Sequence, residues 1–389
     1  MIKSIDIENF RCFHQTRIDG FGRINLIGGQ NNAGKTTLLE AVYLANSPQP
    51  KSVLFLKQKL RNEANDSEHP ERAWSSLFYQ LKKNNEIKLF VETADRAFGG
   101  RFLCKELTYE KQRQTDLFDE NEDEDGLIKI EDDSDIKVKI SQSSLIVYYY
   151  DQHPFMQMDA NEKVLDINRP LDKNKDYSVQ IDAVLGKKSF GTTGYIPTPL
   201  LYPNFVPAGF KSNPATLAEN FERLRYQGRD QVVLAGLQLI EPSIERVEVF
   251  NFGEKRIYLK KKEEAFMPIT SFGDALNKIT DIVMRISNNL NSIILIDEVE
   301  NGVHYSHHRD LWKFIFELAT QFQVQIFAAS HSYEMIRAFN EMATAEKWGK
   351  EAMYFEMYRS LRSGEIVGKG FSPDLLAYAL ANNQSFRGE

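Results

Sequence analysis

A glycine-rich stretch near the N-terminus contains the residue types that bind phosphate groups. Residues 28–37 read Gly-Gly-Gln-Asn-Asn-Ala-Gly-Lys-Thr-Thr, between an apolar run at 24–27 and a segment with apolar residues at helical spacing. A glycine loop between a strand and a helix turns successive backbone N–H groups toward phosphate oxygens, and the helix N-terminus adds positive charge. We therefore expect nucleotide contacts from Gly29, Asn31, Asn32, Ala33, Gly34, Lys35, Thr36 and Thr37.

Two side chains of this loop suit the triphosphate of ATP and its magnesium ion. Lys35 is placed to reach the β- and γ-phosphates, and the Thr36 hydroxyl is placed to hold Mg²⁺. The alternative is a tight strand-to-helix turn in an unrelated α/β protein. The sequence contains no Asn-Lys-x-Asp pattern, which argues against a preference for GTP.

Two carboxylates follow a second apolar run, Ile-Ile-Leu-Ile at 293–296. We expect Asp297 to hold Mg²⁺ through water, and Glu298 to orient and deprotonate the attacking water. The next apolar run, at 324–328, leads into Ala-Ser-His-Ser, where His331 could contact the γ-phosphate or steady the water. In a parallel sheet the ends of these runs lie side by side, which would bring His331 beside Glu298.

A fourth element precedes a predicted helix at 274–288. Ser271 and Gly273 at its N-terminus form a second anion site. One chain cannot normally bring this turn to its own P-loop nucleotide. The implication is a head-to-tail homodimer, or a higher homo-oligomer, in which the Ser271 turn of each copy caps the ATP of the other.

Taken together, these motifs resemble the ABC-type ATPases of the SMC/RecF class, and most closely the ATPase domains of the OLD family. The resemblance implies that Arg11, in Asn-Phe-Arg-Cys-Phe, lies near the nucleotide. It also implies that Asn301 belongs to the D-loop region at 300–304 and that His331 is the switch histidine. Phe272 stands in place of the first glycine of the usual Ser-Gly-Gly, and Asp274 stands where Gln is common. Gln80 and Gln152 are the two candidates for a Q-loop glutamine.

The resemblance implies an α/β fold, a P-loop NTPase of the ABC-ATPase head type. We expect a mixed central sheet, an antiparallel β subdomain and a helical lobe within one head of residues 1–389. Its three parts are an N-terminal lobe at 1–150 with the P-loop and an acidic loop at 112–135, an insertion and helical signature lobe at 151–290, and a Walker B and switch-histidine lobe with a C-terminal extension at 291–389.

The periodicity of the sequence places most elements individually. It gives no convincing pattern for 160–213. The predicted strands are 2–10, 87–92, 101–109, 135–150, 244–251, 255–261, 293–296, 324–328, 353–359 and 365–369, and the predicted helices are 35–46, 215–226, 230–239, 274–288, 305–321 and a short one after Ser372-Pro373.

Composition limits the class of protein. With 389 residues, of which 42% are hydrophobic, the chain can bury a sizeable core. The net charge is −7, but residues 116–135 alone carry −10, so the rest carries +3 and is not barred from binding nucleic acid. The two cysteines are far apart, no signal peptide is evident and no apolar run approaches 18 residues, so we expect a cytoplasmic protein without a membrane span.

Three weaker patterns have structural explanations that we prefer. His304, His307 and His308 lie at helical spacing from Glu300, but D-loop and helix-start positions account for them better than a metal site. The tyrosines at 148–150 could stack on bases, although packing is more common for aromatic residues in a strand. The basic residues at 255–262 could contact phosphates, although a solvated hairpin is the simpler explanation.

The resemblance leads to one main function and one alternative. The main one is an ATPase that acts as sensor and scaffold in bacterial antiphage defence and controls an effector in trans, either a TOPRIM or HNH nuclease or a toxin. Only 58 residues follow His331, too few for a TOPRIM nuclease domain. The alternative is a RecF-like ATPase that binds double-stranded DNA in repair. A small P-loop enzyme such as a kinase is disfavoured, because about 260 residues separate Lys35 from Asp297.

Overall fold

The computed structural model describes residues 1–63, 69–112, 137–152, 177–184, 189–196, 203–209, 213–345, 348–349 and 351–382. The acidic run predicted at 116–135 lies outside these residues. The strands are β1 (Ile2–Phe10), β2 (Phe13–Asp19), β3 (Ile24–Gly29), β4 (Ile87–Thr93), β5 (Ala97–Gln112), β6 (Lys137–Gln152), β7 (Tyr177–Val184), β8 (Gly191–Tyr195), β9 (Pro203–Val206), β10 (Ile244–Asn251), β11 (Lys255–Lys261), β12 (Met267–Pro268), β13 (Ile293–Ile296), β14 (Gln325–Ala329), β15 (Ala352–Arg359) and β16 (Ile366–Phe371).

Of the eight helices in the described residues, six lie close to predicted positions, and those at Pro50–Phe55 and Tyr333–Ala343 were not predicted. Short turns flank them at Leu56–Leu60 (π-helical) and at Ser75–Leu77, Tyr79–Leu81, Ile269–Phe272 and Tyr305–His307 (3-10). The helices are α1 (Lys35–Asn46), α2 (Pro50–Phe55), α3 (Pro214–Tyr226), α4 (Gln231–Gln238), α5 (Asp274–Asn288), α6 (His308–Gln321), α7 (Tyr333–Ala343) and α8 (Pro373–Ala381).

A six-stranded central sheet carries the P-loop strand in its interior. Its order is β16-β15-β3-β14-β13-β9, and all neighbouring pairs are parallel except β15 with β16. Strands β3, β13 and β14 are buried along their whole length. Continuous burial is what a parallel sheet covered on both faces requires, and it explains why these strands are uninterrupted apolar runs in the sequence.

The central sheet separates two hydrophobic cores. Along β3, Ile24 and Leu26 contribute to one core and Ile27 to the other. Along β13 the alternation is the same: Ile294 and Ile296 face the first core, and the two other residues face the second. This period of two is the geometry of a pleated strand, so each strand fixes both layers at once.

The second core also belongs to a seven-stranded antiparallel sheet, with the order β2-β1-β4-β5-β6-β7-β8. The sheet continues past residue 150 through β7 and β8, which sequence periodicity did not identify. Tyr148, Tyr149 and Tyr150 on β6 are all at least 93% buried, which confirms that they pack within the protein. This sheet is the antiparallel subdomain expected from the sequence.

The helical lobe packs on the other face of the central sheet. Helices α3, α4 and α5 lie against each other and against the small sheet β10-β11-β12. Gly236 allows α4 to approach α5, since a Cβ there would lie 2.9 Å from Cγ2 of Val283. With the mixed central sheet and the antiparallel sheet, this lobe confirms the predicted fold class. Of the residues described, none belongs to a helix that is both long and apolar enough to span a bilayer.

Candidate functional site

The P-loop adopts a backbone conformation that only its glycines allow easily. Gly29 ends β3 with φ of +125°, and a Cβ there would lie 2.1 Å from the carbonyl oxygen of Met357 on β15. Gly34 caps α1 with φ of +85°, and Asn32 has φ of +60°. These left-handed positions turn the loop so that α1 begins at Lys35 with its N-terminus directed into an open cleft.

Lys35 is held at the mouth of the loop by neutral acceptors. Its Nζ donates hydrogen bonds to the carbonyl oxygens of Gly29 and Gln30, both at 2.8 Å. Burial lowers the pKa of Lys35, and the nearby carboxylates of Asp297, Glu300 and Glu298 oppose that shift. A partly desolvated ammonium that is bonded to carbonyls interacts strongly with an anion in the cleft.

Asp297 meets Thr36 across the cleft, although 261 positions separate them in the chain. The Thr36 hydroxyl lies 3.0 Å from each carboxylate oxygen of Asp297. Asp297 is only 8% exposed, and burial raises its pKa to about 6 despite the hydrogen bond from Thr36. A hydroxyl and a carboxylate are hard oxygen donors, so the pair fits Mg²⁺, whose charge would offset the burial of the carboxylate.

Glu298 sits in a restrained turn directly after β13. Its φ is +46°, a left-handed conformation that costs a non-glycine residue free energy. The exposed side chain of Asn301 donates from Nδ2 to Glu298 Oε2 at 2.8 Å, and its backbone N–H donates to the Glu298 carbonyl at 2.9 Å. The turn therefore fixes the direction of the Glu298 carboxylate, as a residue that orients a water molecule requires.

Lys278, on α5, supports the same turn and was not identified from the sequence. Its Nζ donates to the carbonyl oxygens of Asp297, at 3.2 Å, and of Glu298. Burial lowers the pKa of Lys278, and four carboxylates, of Glu300, Asp297, Glu298 and Asp281, oppose the shift. The lysine thus ties the helix that follows the Ser271 turn to the Glu298 turn of the same chain.

His331 follows β14, which lies between the strands of the P-loop and of Asp297. The ring is half exposed, and its Nδ1 lies 3.1 Å from Glu300 Oε1. The backbone N–H of His331 donates to the same oxygen at 3.0 Å. The histidine is therefore fixed to the D-loop region by two contacts with one carboxylate.

These elements enclose one open cleft of about 380 Å³. Because β14 separates β3 from β13, the loops after the three strands reach the cleft from one edge of the sheet. The chain has the fold of a P-loop nucleoside triphosphatase. The residues that line the cleft are Cys12, Asn31, Asn32, Ala33, Gly34, Lys35, Thr36, Thr37, Arg61, Asp297, Glu298, Ala329, Ser330 and His331.

Arg11, which we predicted to lie near the nucleotide, pairs with a buried carboxylate. It is not among the lining residues of the cleft, and its Nε pairs with Glu40 Oε2 at 2.7 Å. Glu40, on α1, is fully buried, so its charge has to be compensated from inside the protein. Arg61 pairs with the other oxygen of Glu40 at 2.8 Å and does line the cleft, so Arg61 is the arginine that faces the candidate nucleotide.

Ser271 and Gly273 are exposed and lie outside the cleft of their own chain. Ser271 is in the 3-10 turn before α5, and Gly273 caps α5 with φ of +87°. Asp274 and Asn277 of α5 line a second pocket of about 260 Å³, together with the D-loop residues Asn301 and Gly302. The helix N-terminus is thus presented to the solvent.

Of the three histidines at 304, 307 and 308, the first and the last have side-chain contacts that explain their positions. His304 Nδ1 caps the following turn by accepting from the backbone N–H of Ser306 at 3.4 Å, and Nε2 of the buried His308 lies 3.1 Å from the Val303 carbonyl oxygen. Within the described ranges, no group of His, Cys, Asp and Glu is arranged to hold a metal ion by itself. Gln80, one Q-loop candidate, lies in a short turn with φ of +51°.

Comparison with known proteins agrees with the fold. A family described as an AAA domain matches residues 4–190, just under half of the chain. A Helicobacter pylori protein named ATP/GTP phosphatase is 25% identical over 405 aligned positions, which cover all of both chains. An uncharacterized protein of Methanocaldococcus jannaschii is 29% identical over 129 residues, 31% of this chain and 59% of that protein.

Two solved structures of SMC heads are also similar to this chain. The SMC head bound to the C-terminal winged-helix domain of ScpA aligns with a TM-score of 0.46, at 10% identity, over 95% of this chain and 97% of that one. The SMC head domain from Thermotoga maritima aligns with a TM-score of 0.36, at 10% identity, over 95% and 98% of the two chains.

Proposed function

We propose that the protein is an ABC-type ATPase that binds ATP and Mg²⁺, hydrolyses ATP, and dimerises head to tail on ATP. The observation that carries this proposal is the convergence of Lys35, Thr36, Asp297, Glu298 and His331 on one cleft from three separate parts of the chain. The match to an AAA domain and the similarity to a relative named ATP/GTP phosphatase support it.

Each residue of the cleft has a chemical role in this proposal. Lys35 and the backbone N–H groups of residues 31–37 bind the phosphates, while Thr36 and Asp297 hold the metal ion. When bound, Mg²⁺ supplies positive charge that offsets the charge developing on the phosphate oxygens. Glu298 orients and deprotonates the attacking water, and His331 faces the terminal phosphate.

Dimerisation follows from where the second anion site lies. Ser271 and the N-terminus of α5 are exposed, and the cleft of the same chain does not include them. In a head-to-tail pair, the Ser271 turn and Asn301 of one copy would face the nucleotide of the other. Phe272 in the turn gives the contact an aromatic side chain where the usual signature has glycine.

We further propose that the ATP-bound dimer acts as a sensor and scaffold for a separate effector in antiphage defence, either a nuclease or a toxin. The support is the likeness of the P-loop, D-loop and histidine-loop sequences to the OLD family. A RecF-like role in DNA repair predicts instead that ATP induces salt-dependent binding to duplex DNA. A binding assay with duplex DNA at low and moderate salt separates the two.

The test of the core proposal uses two substitutions in the cleft. Lys35→Ala removes the phosphate-binding ammonium, and we expect loss of nucleotide binding. Glu298→Gln keeps the shape of the site but removes the base, so we expect ATP binding, no hydrolysis and a trapped dimer on size-exclusion chromatography. Phosphate release from ATP and from GTP is measured for the wild type in parallel. A Glu298→Gln protein that stays monomeric with ATP and Mg²⁺ would contradict the dimer.

A further inference from the structure

Glu300 has a position that a surface D-loop carboxylate does not need. Its side chain is 10% exposed, and its Oε2 is buried and without a hydrogen-bond partner. Its Oε1 meets both the ring and the backbone of His331, at 3.1 and 3.0 Å. Burying a carboxylate with one oxygen unpaired is costly, so the contacts of the other oxygen and the nearby positive charges have to offset that cost.

The contact decides which ring nitrogen of His331 is available. The carboxylate of Glu300 carries negative charge and only accepts hydrogen bonds, so a proton on the Nδ1 that lies 3.1 Å from it is favoured over a lone pair there. With the proton of the neutral ring on Nδ1, Nε2 is the nitrogen left to accept a hydrogen bond from a ligand. His331 itself lines the cleft together with Glu298 and Lys35.

The charges around Glu300 keep it anchored to the site. The ammonium groups of Lys278 and Lys35 and the imidazole of His308 all interact electrostatically with its carboxylate. The carboxylate therefore lies between the lysine of the P-loop, the lysine that supports the catalytic turn and the histidine of the cleft.

We propose that Glu300 is a positioning residue for ATP hydrolysis, which acts by fixing the His331 ring so that Nε2 faces the terminal phosphate or the attacking water. This inference rests on the proposed ATPase function. It assigns Glu300 a role in the rate of the reaction rather than in nucleotide binding, because Glu300 is not among the residues that line the cleft. The exposed ring would otherwise rotate about its side-chain torsions and populate the productive direction for part of the time.

The test compares Glu300→Ala, Glu300→Gln, His331→Ala and the double variant Glu300→Ala/His331→Ala. We expect Glu300→Ala to lower kcat by about 10- to 100-fold with KM changed less than about threefold, as loss of an oriented catalytic group does. Glu300→Gln keeps an oxygen acceptor for both contacts, so it should recover most of the lost kcat. The double variant should be no slower than His331→Ala alone, because Glu300 acts through the histidine.

Several results would overturn the proposal. One is a Glu300→Ala kcat within about twofold of wild type, and another is a loss of kcat in the His331→Ala background as large as that in wild type. Glu300→Gln activity no better than that of Glu300→Ala would also reject positioning by hydrogen bonds.

Thermal unfolding and ATP-analogue binding of each variant reveal misfolding. The matched control is Glu341→Ala, which removes an exposed α7 carboxylate 3.5 Å from Arg337. A wild type without hydrolysis would instead reject the ATPase function itself.

Discussion

Asp297 is a buried carboxylate that suits the binding of a metal ion but destabilises the fold when no ion is bound. The residue lies at the end of a fully buried strand, and burial raises its pKa to about 6, roughly two units above the ordinary value. Thr36 is a neutral partner, so near neutral pH the nucleotide-free protein carries a buried negative charge that the hydroxyl only partly stabilises. A bound cation would stabilise that charge, so the buried carboxylate destabilises the protein mainly when no cation is bound.

This reasoning predicts that Asp297→Asn stabilises the nucleotide-free protein while abolishing Mg²⁺-dependent hydrolysis. A carboxylate whose pKa is raised on folding destabilises the folded state in its ionised form, fully above about pH 6 and progressively less as the pH falls toward 4. The free energy of unfolding should rise by about 1 to 3 kcal/mol at pH 7.5, from the size of the pKa shift. Denaturant unfolding at several pH values measures this.

The pH dependence distinguishes this explanation from a general effect of removing charge. The stabilisation by Asp297→Asn should shrink between pH 6 and pH 4, where the wild-type carboxyl becomes protonated in the folded state. The exposed Glu341→Gln is the matched control and should leave the unfolding free energy within about 0.5 kcal/mol at every pH. Equal stability of Asp297→Asn and wild type at pH 7.5 would show that Thr36 and the surrounding charges fully compensate the buried carboxylate.

At the scale of elements, the strands and helices of the central sheet follow from the sequence because their signals are local. The apolar runs of β3, β13 and β14, and the helix of 274–288, lie where the periodicity predicts them. The predicted helix at 305–321 begins instead with a 3-10 turn, which the side chain of His304 caps. Strands β2, β7, β8, β9 and β12 were not predicted. β8 contains two glycines, and β9 contains a proline and an asparagine, which are weak strand formers; β7 has none of these residues but lies in a stretch where no periodicity was recognised.

The site residues also divide into those that local sequence predicts and those that only the folded structure reveals. The P-loop, Asp297, Glu298 and His331 carry their identity in a few adjacent residues, so they were predicted without the fold. Arg61, which follows the π-helical turn, and Lys278, on α5, were not, because an isolated basic residue has no local signature and only packing decides where it points. Arg11 was predicted to lie near the nucleotide, and its guanidinium pairs with the fully buried Glu40 on α1.

Helix α5 joins two parts of the site that belong to different functions in the proposed dimer. Its first turn follows Ser271 and Gly273, and Lys278, just over one turn later, donates to the backbone of Asp297 and Glu298. A rigid helix transmits a displacement of its N-terminus along its length. Contact of the Ser271 turn with another copy would therefore displace the Glu298 turn of the same chain.

We predict that Lys278→Met slows hydrolysis more than it weakens ATP binding. The substitution keeps the length and apolar stem of the side chain but removes both hydrogen bonds, and the Glu298 turn, at φ of +46°, then loses its support. We expect kcat to fall about tenfold and the affinity for an ATP analogue to change by less than about threefold. Lys278→Arg should retain more activity, since it keeps donors for the carbonyls.

The control for this prediction is Lys313→Met, which removes an exposed lysine from α6. Its kinetics and thermal stability should match those of wild type. Steady-state hydrolysis and analogue binding, measured on the same preparations, separate the two parameters. If Lys278→Met weakened analogue binding as much as it lowered kcat, the lysine would act on the whole cleft and not on the Glu298 turn.

At the scale of the whole molecule, the proposed site is divided between two copies of the chain. One copy supplies the cleft with Lys35, Asp297, Glu298 and His331, and the other supplies the exposed turn with Ser271. A site divided in this way allows complementation between variants, which a site within one chain does not. Variants damaged in different halves restore each other in mixed dimers, whereas variants damaged in the same half do not.

The last prediction uses this complementation, with Glu298→Gln damaging the cleft half and Ser271→Arg damaging the exposed turn. Each protein alone should be inactive, since every site in its homodimer carries the damage. Mixed in equal amounts before ATP is added, half of the dimers are mixed, and each of these has one intact site. Phosphate release should then recover to about a quarter of the wild-type rate per chain, as expected for random C₂ pairing.

The matched control mixes Glu298→Gln with His331→Ala, which damage the same half, and it should show no gain over His331→Ala alone. Recovery in both mixtures would trace the signal to contamination, and recovery in neither, with mixed dimers verified by a tag pull-down, would place the whole reaction within a single chain.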